Sequence, residues 1–529
     1  MTVSVGADVV RPVDGRAPRR AMVVVALIAI AASMAGIGVR SSFGAHVAVD
    51  EPQYLLTALS LFEDGDLDIS DELAERRWQP WGGDELPVQT EVLADGSQLS
   101  PHDPLLPLLL AVPMGLGGWI GAKIAMALMA GALAALTLWT AVVRFAVPYR
   151  IAAVGVTLAA ASAPFAVYGQ QVYPELPAAL AVVAAVALMT APKTSTTAPK
   201  SSATASQASP DGPKAGLSMR SRAGLMASSK VNLWALGAVL TALPWLSVKY
   251  APVAAALALW KFREKWLMAG LAVMGVVYLA LHKLIWGGWT VYATGDHFQR
   301  SGEFGVMGFE PDFAGRAVRL LGLLVDRGYG LAAWQPAWLL LIPAIGFALA
   351  RRRTFGPLLP PLAAGWLTAT FVALTMHGHW WPGRQLVVVL PLALILILGL
   401  VGGSSRSDQR GQAGGSNPVP AGRSPYSRIA APAGRTPYSR IAGLAGRSPY
   451  GWAGLGLGLA GVVTYGWLVA DGLAVKTTWI SGFESVGSPV HQALRLVLPD
   501  YRQDFWPPHL IWAAISLPVI LLTYRKYRS

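Results

Sequence analysis

Apolar runs long enough to cross a bilayer follow one another along most of this chain, and they fix its architecture before any motif is considered. Residues 21–38, 120–143, 267–286 and 386–400 are the clearest of them. At about 1.5 Å per residue, helices of this size match a hydrocarbon core about 30 Å thick. They are read as helices rather than barrel strands, because each satisfies its own backbone in lipid. Composition agrees: 54% of the residues are hydrophobic, 13% are charged, and the mean hydropathy is +0.46. A soluble domain needs no such excess to bury its core, so lipid is the solvent for most of the chain.

The net charge of +13 does not indicate a nucleic-acid partner, since the basic residues lie in short loops and tails beside the apolar runs. That distribution marks the cytoplasmic side of a membrane protein. Arg11, Arg16, Arg19 and Arg20 precede the first run, which is too long for a signal peptide and lacks a small-residue cleavage site, so it is read as a retained anchor. No cysteine is present, which excludes disulfides and thiolate metal sites.

Placing basic loops inside and acidic loops outside predicts an all-α, multi-pass protein of the plasma membrane with about twelve crossings and both termini cytoplasmic. Residues 1–20 form an N-terminal tail, and 21–191 an N-terminal transmembrane module whose extracytoplasmic loop, 41–118, carries thirteen acidic residues, from Asp50 to Asp95. Within it, 104–118 is apolar but broken by Pro107, Pro113 and glycines, and is read as a re-entrant or juxtamembrane piece ahead of the span at 120–143. Residues 192–230 form a cytoplasmic insert rich in Ser, Thr, Ala, Pro and Lys, predicted disordered. A central module, 231–402, is followed by a second cytoplasmic insert, 403–450, and a C-terminal hairpin, 451–529. The second insert repeats Gly-Arg-Ser/Thr-Pro-Tyr from Gly422, Gly434 and Gly446, a pattern that buries no face and is read as a linker or docking segment.

In this orientation the unusual polar residues gather at the outer ends of the spans: Asp50, Glu51, His102, Asp103, Tyr173, Glu175, Lys249, Asp296, His297, His377, His379 and Arg384. A transporter more often carries its ionisable groups near the midplane, on broken helices related by a repeat, and neither is read here. Carboxylates among cations at a membrane surface suit an enzyme acting on a lipid-linked anionic substrate. One carboxylate takes a hydroxyl proton while Lys, Arg and His neutralise a phosphate leaving group. No nucleotide-binding glycine loop is present, which argues against a nucleotide sugar as donor.

The motifs at these positions are residues 49–54 (VDEPQY), 100–107 (SPHDPLLP), 173–177 (YPELP), 249–252 (KYAP), 327–331 (RGYGL) with 334–336 (WQP), and 378–384 (GHWWPGR). Through about residue 400 the chain thereby resembles the GT-C superfamily of polyprenyl-phosphate-sugar-dependent glycosyltransferases, whose members include the protein O-mannosyltransferases and the lipid A aminoarabinose transferase. The resemblance implies a catalytic base just after the first span, at Asp50, with Glu51 beside it, and a second acidic position at Glu175. Relatives of the aminoarabinose type often have Lys-Pro-Pro where this chain has His102, Asp103 and Pro104, so donor-phosphate binding is assigned to Lys249 and Arg384, with His102 assisting. The implied partners are a polyprenyl-phosphate sugar, membrane lipid and an extracytoplasmic acceptor hydroxyl.

Each residue also has a plainer reading. Asp50 and Glu51 could cap a helix that opens at Pro52, His102 and Asp103 could cap the re-entrant piece, and Glu175 could end a helix in solvent. Lys249 and Arg384 could be interfacial snorkelling residues, and Trp380 and Trp381 interface anchors. Asp64, Asp66 and Asp68 have calcium-loop spacing but lack the glycine and terminal Glu in register, so they are read as a solvated face. Asp50, Glu51, His102, Asp103 and Glu175 also suit Mg²⁺ or Mn²⁺, and a metal is left open. The rival functions are a lipid-linked-glycan transporter and a non-catalytic scaffold built around the inserts.

Overall fold

The computed structural model describes residues 16–83, 86, 89, 91–93, 95–190, 219–290, 313–373, 376–413, 449–502 and 506–528. Asp296, His297, the repeat units and most of both inserts lie outside these residues. Among the described residues the protein is all-helical, the exception being a two-stranded antiparallel ribbon, β1 (Glu91–Val92) with β2 (Gln98–Leu99). It is a multi-pass membrane protein. Among the described residues five helices are long and apolar enough to cross a bilayer: Leu105–Val143, Lys265–Trp286, Arg352–Val372, Pro449–Leu473 and Trp506–Arg528. Six shorter apolar helices of 10–17 residues accompany them.

The first apolar run forms α1 (Arg16–Ala35), which packs along α4 (Leu105–Val143). Between them lie α2 (Glu51–Glu63) and the short α3 (Ser70–Ala74) of the acidic loop. Pro113 lies inside α4, and Gly118 breaks it with φ 58 and ψ −158, values that favour glycine. The apolar piece at 104–118 is therefore continuous with the following span but redirected at Gly118. Its N-terminal arm packs on α2 and leaves Leu108, Leu109, Val112 and Leu116 exposed, an apolar face suited to lipid.

Next come α5 (Tyr149–Ala160), α6 (Glu175–Met189), α7 (Met219–Leu246), α8 (Ala251–Leu259) and α9 (Lys265–Trp286). Then follow α10 (Leu341–Ala350), α11 (Leu359–Leu367), α12 (Leu390–Ala413), α13 (Pro449–Leu473), α14 (Pro489–Val497) and α15 (Trp506–Arg528). Helix α7 begins at Met219 and α12 runs on to Ala413, so each reaches into a segment read as an insert. The apolar stretch at 150–168 is divided: α5 ends at Ala160 and a separate turn of helix occupies Phe165–Tyr168.

Helix α6 after Glu175 and the first part of α12, Leu390–Gly403, are apolar all round and occupy the centre, with Leu390, Leu392, Ala393, Ile395, Leu396 and Leu400 fully buried. By contrast α9 and α15 present exposed Val, Leu and Ile to the surroundings, as lipid-facing helices do. Trp381 is fully buried among Trp334, Trp479 and Phe483, and Trp380 is buried too. Their reading as interface anchors is thus corrected: the aromatic mass of residues 380–381 builds a core beneath the site, because the turn that follows must carry Arg384 inward.

Candidate active site

The site lies where four separated segments meet, at the end of the bundle that carries the acidic loop. The first segment leads into α2. Val49 adopts φ 60, a left-handed conformation that costs a β-branched residue energy and turns the chain sharply before Asp50. Asp50 occupies the N-cap position of α2, yet its side chain makes no capping bond. Its Oδ2 instead accepts a hydrogen bond from Arg384 Nη2 at 2.7 Å. The helix-cap reading of Asp50 does not describe this carboxylate.

Arg384 reaches it from a 3₁₀ turn, Arg384–Leu386, that follows Gly383 at φ 83. Its Nε donates to Glu175 Oε1 at 3.0 Å, so one guanidinium bridges two carboxylates. The plane of the guanidinium lies over the Tyr173 ring, 3.9 Å from its centroid. Lys249, in the turn between α7 and α8, donates to the same Glu175 Oε1 at 2.6 Å. Two acids and two bases therefore form one charge-balanced cluster, with Glu175 and Arg384 almost fully buried and Asp50 and Lys249 each retaining a little less than a fifth of their side-chain exposure. Neither Glu175 nor Arg384 is a solvated helix end or a snorkelling residue.

Burial alone would raise the carboxyl of Asp50. Arg384, with help from His102 and Lys249, more than offsets this and holds it down at about 2. His102 is pushed down to about 4, chiefly by burial, so it is neutral at ordinary pH. It stacks on Tyr54, and its Nε2 meets Gln89 Oε1 at 3.3 Å; Gln89 Nε2 in turn donates to Asp50 Oδ1 at 3.4 Å. His102 thus reaches Asp50 through Gln89, a residue that nothing in the sequence pattern singles out.

Glu51 turns away from the cluster. Its Oε2 accepts from Ser41 Oγ at 2.7 Å and from the Ala48 amide at 3.3 Å, and its Oε1 accepts from the Val172 amide at 2.8 Å. It straps the start of α2 to the segment leading into Tyr173 and Glu175. Asp103 also points elsewhere: it accepts from Tyr278 Oη at 2.8 Å and lies 3.0 Å from His282 Nε2 on α9, and its other oxygen accepts from the Val248 amide at 2.9 Å. That last bond anchors the turn carrying Lys249. Asp50, Glu51, His102, Asp103 and Glu175 consequently do not converge on one point, and this set does not fit a Mg²⁺ or Mn²⁺ centre.

Lys123 and His282 are buried ionisable residues within candidate spans, where none was read. Lys123, buried in α4, donates to the His46 carbonyl at 3.0 Å and to Gln170 Oε1 at 3.2 Å. His282 was legible as the partner of Tyr278, four residues before it on one helix face. Buried polar atoms without hydrogen-bond partners among the described residues crowd the segments beside the cluster: both side-chain polar atoms of Gln53 and of Gln171, Tyr173 Oη and Glu175 Oε2. Such a concentration is unusual in a finished core and marks space that a polar ligand or water completes.

An apolar cavity of about 750 Å³ opens between α2, the N-terminal arm of α4, α7 and α9. Pro104, Leu105, Trp245 and Trp266 are among its walls. Pro104, one of its walls, follows Asp103, whose carboxylate accepts from the Val248 amide in the turn that carries Lys249.

No family model matches the sequence, and no curated protein does either. Two solved structures resemble the chain. One is ArnT from Cupriavidus metallidurans bound to undecaprenyl phosphate, with a TM-score of 0.41, 15% identity, and coverage of 95% of this chain and 79% of that one. The other is the apo state of ArnT from the same organism, with a TM-score of 0.39, 15% identity, and coverage of 97% and 78%.

Proposed function

We propose that the protein is a membrane glycosyltransferase that takes a sugar from a polyprenyl phosphate and gives it to an extracytoplasmic acceptor hydroxyl, with Asp50 as the base. The observation that carries this reading is the bridging of Asp50 and Glu175 by Arg384, with Lys249 on Glu175, in a protein that also holds a large apolar cavity. The cations provide a phosphate clamp, the cavity takes the isoprenoid tail, and the more exposed of the two acids faces the acceptor.

The charges balance through the reaction. A sugar phosphodiester brings one negative charge to a cluster whose four residues sum to zero. Its phosphate competes with Asp50 for Arg384, and Asp50 is the partner that yields, because Glu175 is deeper and also holds Lys249. Displaced from the guanidinium, Asp50 loses the interaction that depresses it and becomes a stronger base. The acceptor oxygen forms its bond to the anomeric carbon as the carbon–phosphate-oxygen bond breaks with inversion. The bonding pair leaves on the phosphate, and the hydroxyl proton passes to Asp50. Polyprenyl phosphate gains the charge that Asp50 loses, and Arg384 and Lys249 stabilise it where it develops. Glu51, Gln89 and Asp103 position these groups and do not touch the reacting atoms.

The test is turnover of a panel of polyprenyl-phosphate sugars by purified protein in liposomes with an acceptor extract, following release of polyprenyl phosphate. Release by the wild type and its loss in Asp50→Asn is the expected result. Equal turnover by Asp50→Asn would refute the assignment of the base. Movement of donor across the bilayer without bond cleavage would favour the transporter.

A further inference from the structure

A second cluster of charge, apart from the transferase site, lies in the acidic loop where α2 ends against α3. Asp64 at the C-cap of α2 and Asp71 and Glu72 of α3 each direct a carboxylate oxygen to one locus, and the three oxygens lie within 4.8 Å of one another. Oxygens bound to one calcium ion at 2.3–2.6 Å stand at most about 5 Å apart, so the three fit a common cation.

Glu72 sets this apart from a solvated acidic face. It is 1% exposed, and among the described residues neither of its carboxylate oxygens has a hydrogen-bond partner. A carboxylate buried this way is costly unless a cation meets it. The nearby guanidinium does not serve, because Arg77 is engaged by Glu63 at 2.8 Å and by Glu75 at 3.5 Å. Asp64 adds to the demand, since a negative charge at a helix C-terminus opposes the helix dipole.

The rest of the loop is already folded around this point. Asp66 Oδ1 accepts from Ser60 Oγ and from the Asp68 amide, both at 3.0 Å, and Asp68 Oδ1 accepts from the amides of Ser70 at 3.1 Å and Gln98 at 2.8 Å. These two aspartates shape the backbone and are spent. Of the three with calcium-loop spacing, only Asp64 belongs to the cluster, so spacing along the chain pointed to the wrong set of ligands.

We propose that Asp64, Asp71 and Glu72 bind a calcium ion that clips the end of α2 to α3. The ligands are all hard oxygen, two of the three are open to solvent, and water completes the coordination, which suits the weak affinities of extracellular calcium modules, about 10⁻⁴ to 10⁻³ M. Since Asp50 begins the helix that Asp64 ends, the clip also steadies the helix that carries the base.

The experiment is equilibrium dialysis of the full-length protein in detergent against ⁴⁵Ca²⁺, paired with thermal unfolding in calcium and in chelator. One equivalent bound, with a rise in Tm in calcium, is expected for the wild type. Asp64→Asn, an exposed change that leaves the fold intact, lowers the affinity at least about tenfold, in line with loss of one charged ligand. Glu72→Gln abolishes the calcium-dependent rise, and in chelator it melts no lower than the wild type, because it removes a buried unpaired charge. Absence of binding at about 5 mM calcium, above the range for such modules, would overturn the proposal. So would equal binding by wild type, Asp64→Asn and Glu72→Gln.

Discussion

Replacing Arg384 by Gln tests the charge cluster most directly, because it removes the one residue that joins its two acids. Glu175 keeps Lys249 at 2.6 Å, so the acid left without a cationic partner is Asp50. Asp50 retains only 18% of its side-chain exposure and so gains little from solvent. Breaking a buried pair from one side costs about 3–5 kcal/mol, most of it the penalty of the abandoned charge. The double variant Arg384→Gln/Asp50→Asn removes that charge, and should recover about 2 kcal/mol relative to Arg384→Gln alone. The assay is a double-mutant cycle of unfolding free energies in mixed micelles, comparing wild type, both single variants and the double. Additive losses, with the double variant no more stable than Arg384→Gln, would show that the two side chains do not depend on each other and would refute the cluster as the organising feature of the site. Activity is lost in all three variants, so the stability readout carries the distinction.

Two further outcomes follow from the same geometry. In the free protein Asp50 is held at about 2 and His102 at about 4, so kcat/KM for donor cleavage should stay flat from pH about 8 down to about 5. The acid limb of kcat should lie at higher pH, because bound phosphate frees Asp50 from Arg384; coincident limbs, or a fall in kcat/KM near pH 6.5, would refute the displacement step. Glu51→Gln should destabilise the protein by about 1–3 kcal/mol by presenting an amide donor to a site filled with three donors, and an unchanged unfolding free energy would contradict the strap between α2 and Val172.

Much of this was legible in the sequence, and the parts that were not share a cause. The spans, the acidic loop and the roster of polar residues at span ends follow from hydropathy and charge, which are local properties. Direction is not local. Asp50 and Glu51 are neighbours at a helix start, where successive side chains point about 100° apart, so one meets Arg384 and the other the core, and composition cannot say which. Asp103 looked equivalent to His102, yet its side-chain partners are on α9, 179 residues away at His282, and its backbone partner is Val248. Gln89 lies in an irregular stretch with no periodicity to mark it. Trp381 has the composition of an interface anchor and the position of a core residue, a difference decided by what packs on it. The break at Gly118 was visible because glycine and proline signal it directly, whereas the division of the 150–168 stretch was not.

The hydrogen bond between Asp50 and Arg384 joins residues 334 positions apart, and this has a consequence in time. At roughly 5–20 residues per second, a ribosome that has delivered Asp50 needs about 20 to 70 s to deliver its counterion. Lys249 arrives earlier but has Glu175 to satisfy. Throughout that interval Asp50 must remain in water, so the N-terminal helices must insert as an open assembly whose vestibule stays wet. Arrival of the turn at Gly383 and Arg384 closes it, which makes the last of the four charged residues to be synthesised the one that completes the site.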